Sequence, residues 1–226
     1  MKKAVAGFDE LTVVGVSRWL TERAAQSPIF AKVKFATVHN GTDTSLFCPT
    51  PSDIRERLSV EKDEKIVLHV TPDFRHAKIK GSAYVTALAE RMPEYKFIIV
   101  GAGTEGIIFP ENVLAVGRTE SPKELAEYYS AADVTLLTSI RETYSMVCAE
   151  SLCCGTPVAG FFAGGPESIC LAEHSLFCEQ GDTPTLEKNV RILASREKTD
   201  FFSLAEKNYS AEQMNQGYFE LYGIGR

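Results

Sequence analysis

The apolar residues of this chain fall in short continuous runs that alternate with segments of helical period. "KIVLHV" (65–70) and "KFIIVG" (96–101) are unbroken runs suited to strands buried on both faces. "LTVVGV" (11–16), "KFATVHNG" (34–41, ending in an Asn-Gly turn), "VLAVG" (113–117), "DVTLLTS" (133–139), "PVAGF" (157–161) and "SLFCE" (175–179) read as further strands. Between them, "SRWLTERAAQ" is a helix with Ser17 as N-cap, and "FCPTPSD" is a proline-marked loop into a short polar helix near "IRERLS". "KGSAYVTALAERM" and "PKELAEYYSAA" have helical period, a helix runs from about Ser145 to Cys154 with Gly155 as its stop, and two or more helices end the chain.

This alternation predicts an α/β fold: a Rossmann-like, doubly wound parallel sheet covered on both faces. Ligands of such sheets bind beyond the carboxyl ends of the strands. The stretch before about Ala31 supplies a lone strand and helix ahead of a new α/β series. Residues 1–30 are therefore expected to be the end of one unit and 31–226 the ligand-binding domain.

Composition narrows the class. At 226 residues, 44% hydrophobic and 24% charged, the chain is an ordinary globular protein, and its net charge of −6 argues against a general nucleic-acid binder. Six cysteines form no Cys-x-x-Cys pair and four histidines show no ligand spacing, so no metal site is expected. The cysteines sit mostly in apolar context, where a reduced thiol behaves as a small core residue, and a cytoplasmic location, including the inner face of the membrane, is the expectation. "MKKAVAGFDELTVVGV" is interrupted by Asp9 and Glu10 and is no signal peptide, and no run is long enough to span a bilayer.

Against that background one residue stands out. From Thr143 to Pro166, Glu150 is the sole charge, among Met146, Val147, Cys148, Leu152 and Cys153. An isolated buried carboxylate is too costly to keep, so it is paired inside the protein or faces a cavity where a ligand is its partner.

"FIIVGAGTEGII" matches the Gly-x-Gly-x-x-Gly dinucleotide fingerprint at Gly101, Gly103 and Gly106. Only "IIFPEN" separates Gly106 from the next strand, leaving no room for the helix that would hold a pyrophosphate, so a glycine turn that a ligand touches at most is expected. Three other features gather at strand ends. Arg75 and Lys80, on the loop before Gly81, suit a phosphate or diphosphate, or form a solvated basic loop. Glu142, ahead of Thr143, Tyr144 and Ser145 at a helix start, suits a polyol beside amides that attract an anion, or is an exposed capping acid. Glu150 suits a ribose cis-diol, or a buried salt bridge. Together they describe a nucleotide-linked sugar.

These residues also carry a resemblance. "ETYSMVCAE" resembles the Glu-x7-Glu signature of retaining glycosyltransferases of the group 1 (family 4) type, which have the two-domain GT-B fold. "VVGVSRWL" resembles the end of that family's N-terminal domain, "VHNGTDTSLFCP" its linker, "RHAKIKG" its Arg-x4-Lys-Gly clamp, and "YYSAADVTLLTSIRETYSMVCAESLCCGTPVAGF" follows it almost without a break. The resemblance implies the C-terminal, donor-binding half of such an enzyme. It implies transfer of a sugar from a nucleoside diphosphate sugar to a hydroxyl of a glycan, lipid or small-molecule acceptor, with retention and no cofactor. Arg75 and Lys80 with Gly81 would hold the diphosphate, and Glu142 the sugar hydroxyls. Backbone around Thr143, Tyr144, Ser145 and Met146 would assist, Glu150 would hold the ribose, and Val116 and Gly117 would face the base, with Gly101 nearby. No Asp-x-Asp occurs, so no metal-bridged diphosphate is implied.

Two departures are noted. Ser145 stands where the family has Gly, and "AGGPES" varies its Gly-Gly-x-Pro-Glu loop, leaving Gly164 and Glu167 with less weight. The acceptor-binding N-terminal domain is expected to be represented here only by its last strand and helix, so the chain alone is expected to bind donor without turnover. The rivals are a non-catalytic nucleotide-sugar module or half of a split enzyme, a dehydrogenase resting on "GAGTEG", and a sugar nucleotide epimerase.

Overall fold

The computed structural model describes residues 7–31, 33–75 and 78–224. A short parallel pair comes first: β1 (Thr12–Gly15) and β2 (Lys34–Thr37), joined through helix α1 (Arg18–Ala25). Ser17 caps α1, accepting from Leu20 N as its sequence position suggests. β2 lies beyond the division expected near residue 30 and pairs with β1 across it.

The main sheet has six parallel strands: β3 (Lys65–Asp73), β4 (Tyr95–Ala102), β5 (Val113–Gly117), β6 (Val134–Leu137), β7 (Val158–Phe161) and β8 (Ser175–Cys178). Their order, β5-β4-β3-β6-β7-β8, makes it doubly wound. Helices α2 (Ile54–Arg57), α3 (Ser82–Arg91), α4 (Pro122–Ala131), α5 (Met146–Cys153), α6 (Pro166–Ile169), α7 (Thr183–Ala194), α8 (Phe202–Tyr209) and α9 (Ala211–Tyr222) connect and cover the strands.

The unbroken apolar runs are explained by the two cores. Ile66 and Leu68 of β3 and Ile98 of β4 pack under Tyr129 of α4 and Leu152 of α5. The alternate residues Val67, Phe97 and Ile99 pack under Val85 and Leu88 of α3 and Val190 of α7. A strand whose residues point alternately into two cores must be apolar at every position. The boundaries differ where turns intervene: β2 stops at Thr37 because Val38–Gly41 turn away toward the C-terminal helices, and β3 runs on to Asp73 through an irregularity between Val70 and Asp73.

Asp133 anchors the amino end of the central pair. It is 8% exposed; its amide donates to Ile66 O, and its carboxylate accepts from Ile66 N, Arg55 Nη2 (both 2.8 Å) and Lys65 Nζ (3.1 Å). This one side chain joins α2, β3 and β6. Asp133→Ala is expected to cost about 3 kcal/mol, because it strands two cations and an amide, though the cations keep some solvent. Chemical denaturation reads this as a lower midpoint at unchanged slope.

Candidate functional site

Strands β3 and β6 are neighbours, but the chain leaves β3 toward β4 on one side and leaves β6 toward β7 on the other. Their carboxyl ends therefore diverge, opening the crevice where doubly wound sheets bind ligands. The loop after β3 carries Arg75, Lys78 and Lys80; the loop after β6 carries Glu142. His76 and Ala77 of the clamp segment lie outside the described residues.

Two hydrogen bonds and one ion pair stitch these loops together. Thr138 Oγ1 donates to Lys80 O and Ile140 N donates to Ile79 O, both at 2.7 Å. Gly81 permits this approach. It starts α3 in a left-handed conformation (φ 68°), and a Cβ there would lie 2.1 Å from Thr138 O. Lys80 Nζ meets Glu142 Oε1 at 2.5 Å, and Ser139 Oγ donates to the same oxygen at 2.9 Å. Both side chains are mostly shielded, 26% and 15% exposed. A cation and a carboxylate thus face each other across the switch point.

Glu142 is held by backbone as well: its amide donates to Ala163 O and its carbonyl accepts from Gly165 N, each at 2.9 Å. Glu167 is consumed locally, accepting from the amides of Ala163 and Gly164. Thr143 O accepts from Ser17 Oγ at 2.6 Å, so the cap of α1 also grips the site loop. Tyr144 is buried, and its hydroxyl donates to Asn40 O at 2.9 Å. Ser145 has the glycine-like φ of 85°, and its Oγ accepts from Cys148 N to cap α5. Met146, the first residue of α5, is 36% exposed.

Glu150 lies just over one turn further along α5. The salt bridge offered as its alternative is absent among the described residues; instead Tyr129 Oη donates to Glu150 Oε2 at 3.0 Å. Burial holds the Glu150 carboxyl above its ordinary range, and the Tyr129 bond opposes that rise.

Arg75 sits on the other flank of the β3 loop, its guanidinium on Glu105 O in the loop after β4. Gly101 is buried where β4 crosses the irregular end of β3; a Cβ there would strike Thr71 O at 1.8 Å, which accounts for the glycine by packing. The segment 103–112 after it contains no helix, as expected, so the dinucleotide fingerprint lacks its pyrophosphate end. Val116 and Gly117 end β5 on the same rim, three strand spacings from β6, or about 14 Å.

His69 was not anticipated. It is buried on β3, its Nδ1 3.1 Å from Leu136 O, its ring edge-on to Phe74. Burial first, and the charge of Lys80 to a smaller degree, bring it down to about 4, against a backbone bond that raises it. Ser17, Tyr129 and Ser139 were also missed. Ser139 had a signal, standing three residues before Glu142; Tyr129 is 21 residues from Glu150 and had none.

The fold and site define a doubly wound α/β domain with a charged crevice at its switch point. The chain matches the glycosyl transferases group 1 family over residues 52–202 and belongs to it. It is 27% identical over 175 residues to the N-acetyl-alpha-D-glucosaminyl L-malate synthase of Bacillus anthracis, a match covering 71% of this chain and 45% of that protein. It is 30% identical over 152 residues to the D-inositol 3-phosphate glycosyltransferase of Thermobispora bispora, covering 58% and 35%. Among solved structures it resembles sucrose-phosphate synthase from Thermosynechococcus elongatus (TM-score 0.79, 23% identity, 98% of this chain and 60% of that one). It also resembles Anabaena HepE solved with UDP (TM-score 0.75, 19% identity, 94% and 63%). These likenesses give the Rossmann-like half of a GT-B fold. The matches span less than half the length of either curated relative. Among the described residues no helix is long and apolar enough to cross a membrane.

Two outcomes are expected. Ser145→Gly leaves stability within about 1 kcal/mol, since relief of a positive φ offsets a lost helix cap of similar size; thermal unfolding checks this. For His69, the folded value of about 4 lies below its ordinary 6.5, so its contribution is complete above pH 6.5 and is lost as pH falls from 6.5 toward 4. The loss reaches at most about 3 kcal/mol. His69→Leu should unfold with a flatter pH dependence across that window; an unchanged profile would show that His69 does not titrate there.

Proposed function

We propose that this chain is the donor-binding half of a retaining glycosyltransferase, which transfers a sugar from a nucleoside diphosphate sugar to an acceptor hydroxyl. The observation that carries the reading is the Lys80–Glu142 pair at the switch point. One group suits a diphosphate oxygen and the other a sugar hydroxyl, and they stand where the two moieties of such a donor would adjoin. The description of HepE as a complex with UDP, and of another HepE structure as a complex with UDP-glucose, supports the ligand class.

In this reading the diphosphate lies between the β3 loop and the amino end of α5. Departure of the sugar builds negative charge on the diphosphate. Lys80, Arg75 and the helix-opening amides at Ser145 and Met146 stabilise that charge more in the transition state than in the ground state. Lys80 has three donors, so it keeps Glu142 in place while bonding a phosphate. Glu142 in turn orients the sugar through its hydroxyls, Glu150 takes the ribose, and the backbone of Val116 and Gly117 faces the base. Residues 31–226 form the donor domain and residues 1–30 the end of an acceptor-binding domain.

Lys80→Ala tests the clamp. It removes a charged hydrogen bond and leaves the Gly81 turn intact, so the fold is expected to persist while affinity for UDP or GDP falls about 10–100-fold. Titration calorimetry measures this, and an affinity equal to wild type would rule out the assignment. Tighter binding of NAD than of either diphosphate would favour a dehydrogenase instead.

A further inference from the structure

Glu142 has a cation beside it; Glu150 has none within ion-pair distance among the described residues, and its hydrogen bond is to a phenol. That phenol is unusually constrained. Tyr129 is fully buried on α4, its backbone carbonyl accepts from Thr156 Oγ1 at 2.6 Å, and its ring meets Phe47 edge-on at 6.3 Å. Phe47 follows the Asn-Gly turn, so the segment joining β2 to the main sheet packs on the residue that holds Glu150. Glu150 itself is only partly buried. A carboxylate with one oxygen engaged by a fixed donor presents the other oxygen in a set direction.

We infer that Tyr129 is a positioning residue for Glu150: its hydroxyl holds one carboxylate oxygen so that the other meets the ribose hydroxyls, making the site selective for ribonucleoside over 2′-deoxyribonucleoside diphosphates. The inference rests on the donor reading above and adds the residue that aims its ribose contact. A cis-diol donates to an ionised carboxylate and binds a protonated one less well, so selectivity should depend on the charge of Glu150.

The polar groups around that carboxylate are thiols, a phenol, a second carboxylate and hydroxyls. At the end of α5, Cys153, pushed up to about 12, and the capping Cys154, raised further, stay neutral because they are buried. From α4 the facing group is Tyr129, raised well above its ordinary value by burial and by Glu150. Cys48 on the joining segment and Glu206 on α8 lie close enough to act on Cys153. The polar residues that α5 meets on β6 and beyond, Thr135 and Thr156, do not ionise.

The test is calorimetric titration of wild type and Tyr129→Phe with UDP, GDP and their 2′-deoxy forms over a series of pH values from neutral into the acid range. Wild type should prefer the ribo form about tenfold, a preference that fades as acid protonates Glu150. Tyr129→Phe should lose most of that preference. The pH at which it fades should also move upward, because the hydrogen bond that favours the ionised carboxylate is gone. A residue that merely filled space would leave that midpoint in place. Replacement of Tyr129 by 3-fluorotyrosine, a near-isostere with a more acidic hydroxyl, should move the midpoint downward and serves if the Phe variant fails to fold. Unchanged midpoints and ribo preference in a folded variant, beside lost binding in Lys80→Ala, would overturn the inference and leave the donor reading standing. Failure of wild type to bind either diphosphate would overturn both.

Discussion

The site depends on one close approach, that of the β3 loop to the β6 loop at Gly81 and Thr138. Without a side chain at position 81 the carbonyls of Ile79 and Lys80 come within reach of Ile140 N and Thr138 Oγ1. Only then do Lys80 and Glu142, 62 residues apart in the chain, share a hydrogen bond. Asp133 does the equivalent work at the opposite end of the same two strands, where it accepts from β3 backbone and two cations. The central pair is pinned at one end by a carboxylate among cations and at the other by a glycine contact. The crevice lies beyond the second pin.

The short first unit is built into that arrangement. Ser17 caps its helix and donates to Thr143 O; Trp19 packs against Gly164, where a Cβ would lie 2.5 Å from the indole. Tyr144 reaches back to Asn40, and Thr42 exchanges backbone bonds with Tyr209 and Ala211. Movement of residues 12–47 would therefore pull directly on the loop that carries Glu142. This offers a mechanical route from the joining segment to the loop that carries Glu142, through hydrogen bonds as well as the core contact of Phe47 with Tyr129.

Ser145 illustrates how a site absorbs a departure from pattern. A non-glycine residue at φ 85° is strained, and the strain is met locally by its hydroxyl on Cys148 N. Helix α5 then carries a carboxylate into a mostly apolar setting, where a buried phenol rather than a cation steadies it. The two acids thus differ in partner: Glu142 has Lys80 beside it, Glu150 a phenol.

Much of this was legible in the chain itself. Continuous apolar runs announced strands buried on both faces, Ser17 and Gly155 marked helix ends, and Lys80 and Glu142, each following a strand end, pointed to one rim. These features depend on neighbours within a few residues, where periodicity and capping act. What the sequence could not decide was which partner each polar group would find: Tyr129 rather than a cation for Glu150, Glu105 for Arg75, Ser17 for Thr143, and the buried His69 below Lys80. Those pairings follow from strand order, which places distant residues side by side, and only the folded sheet sets that order.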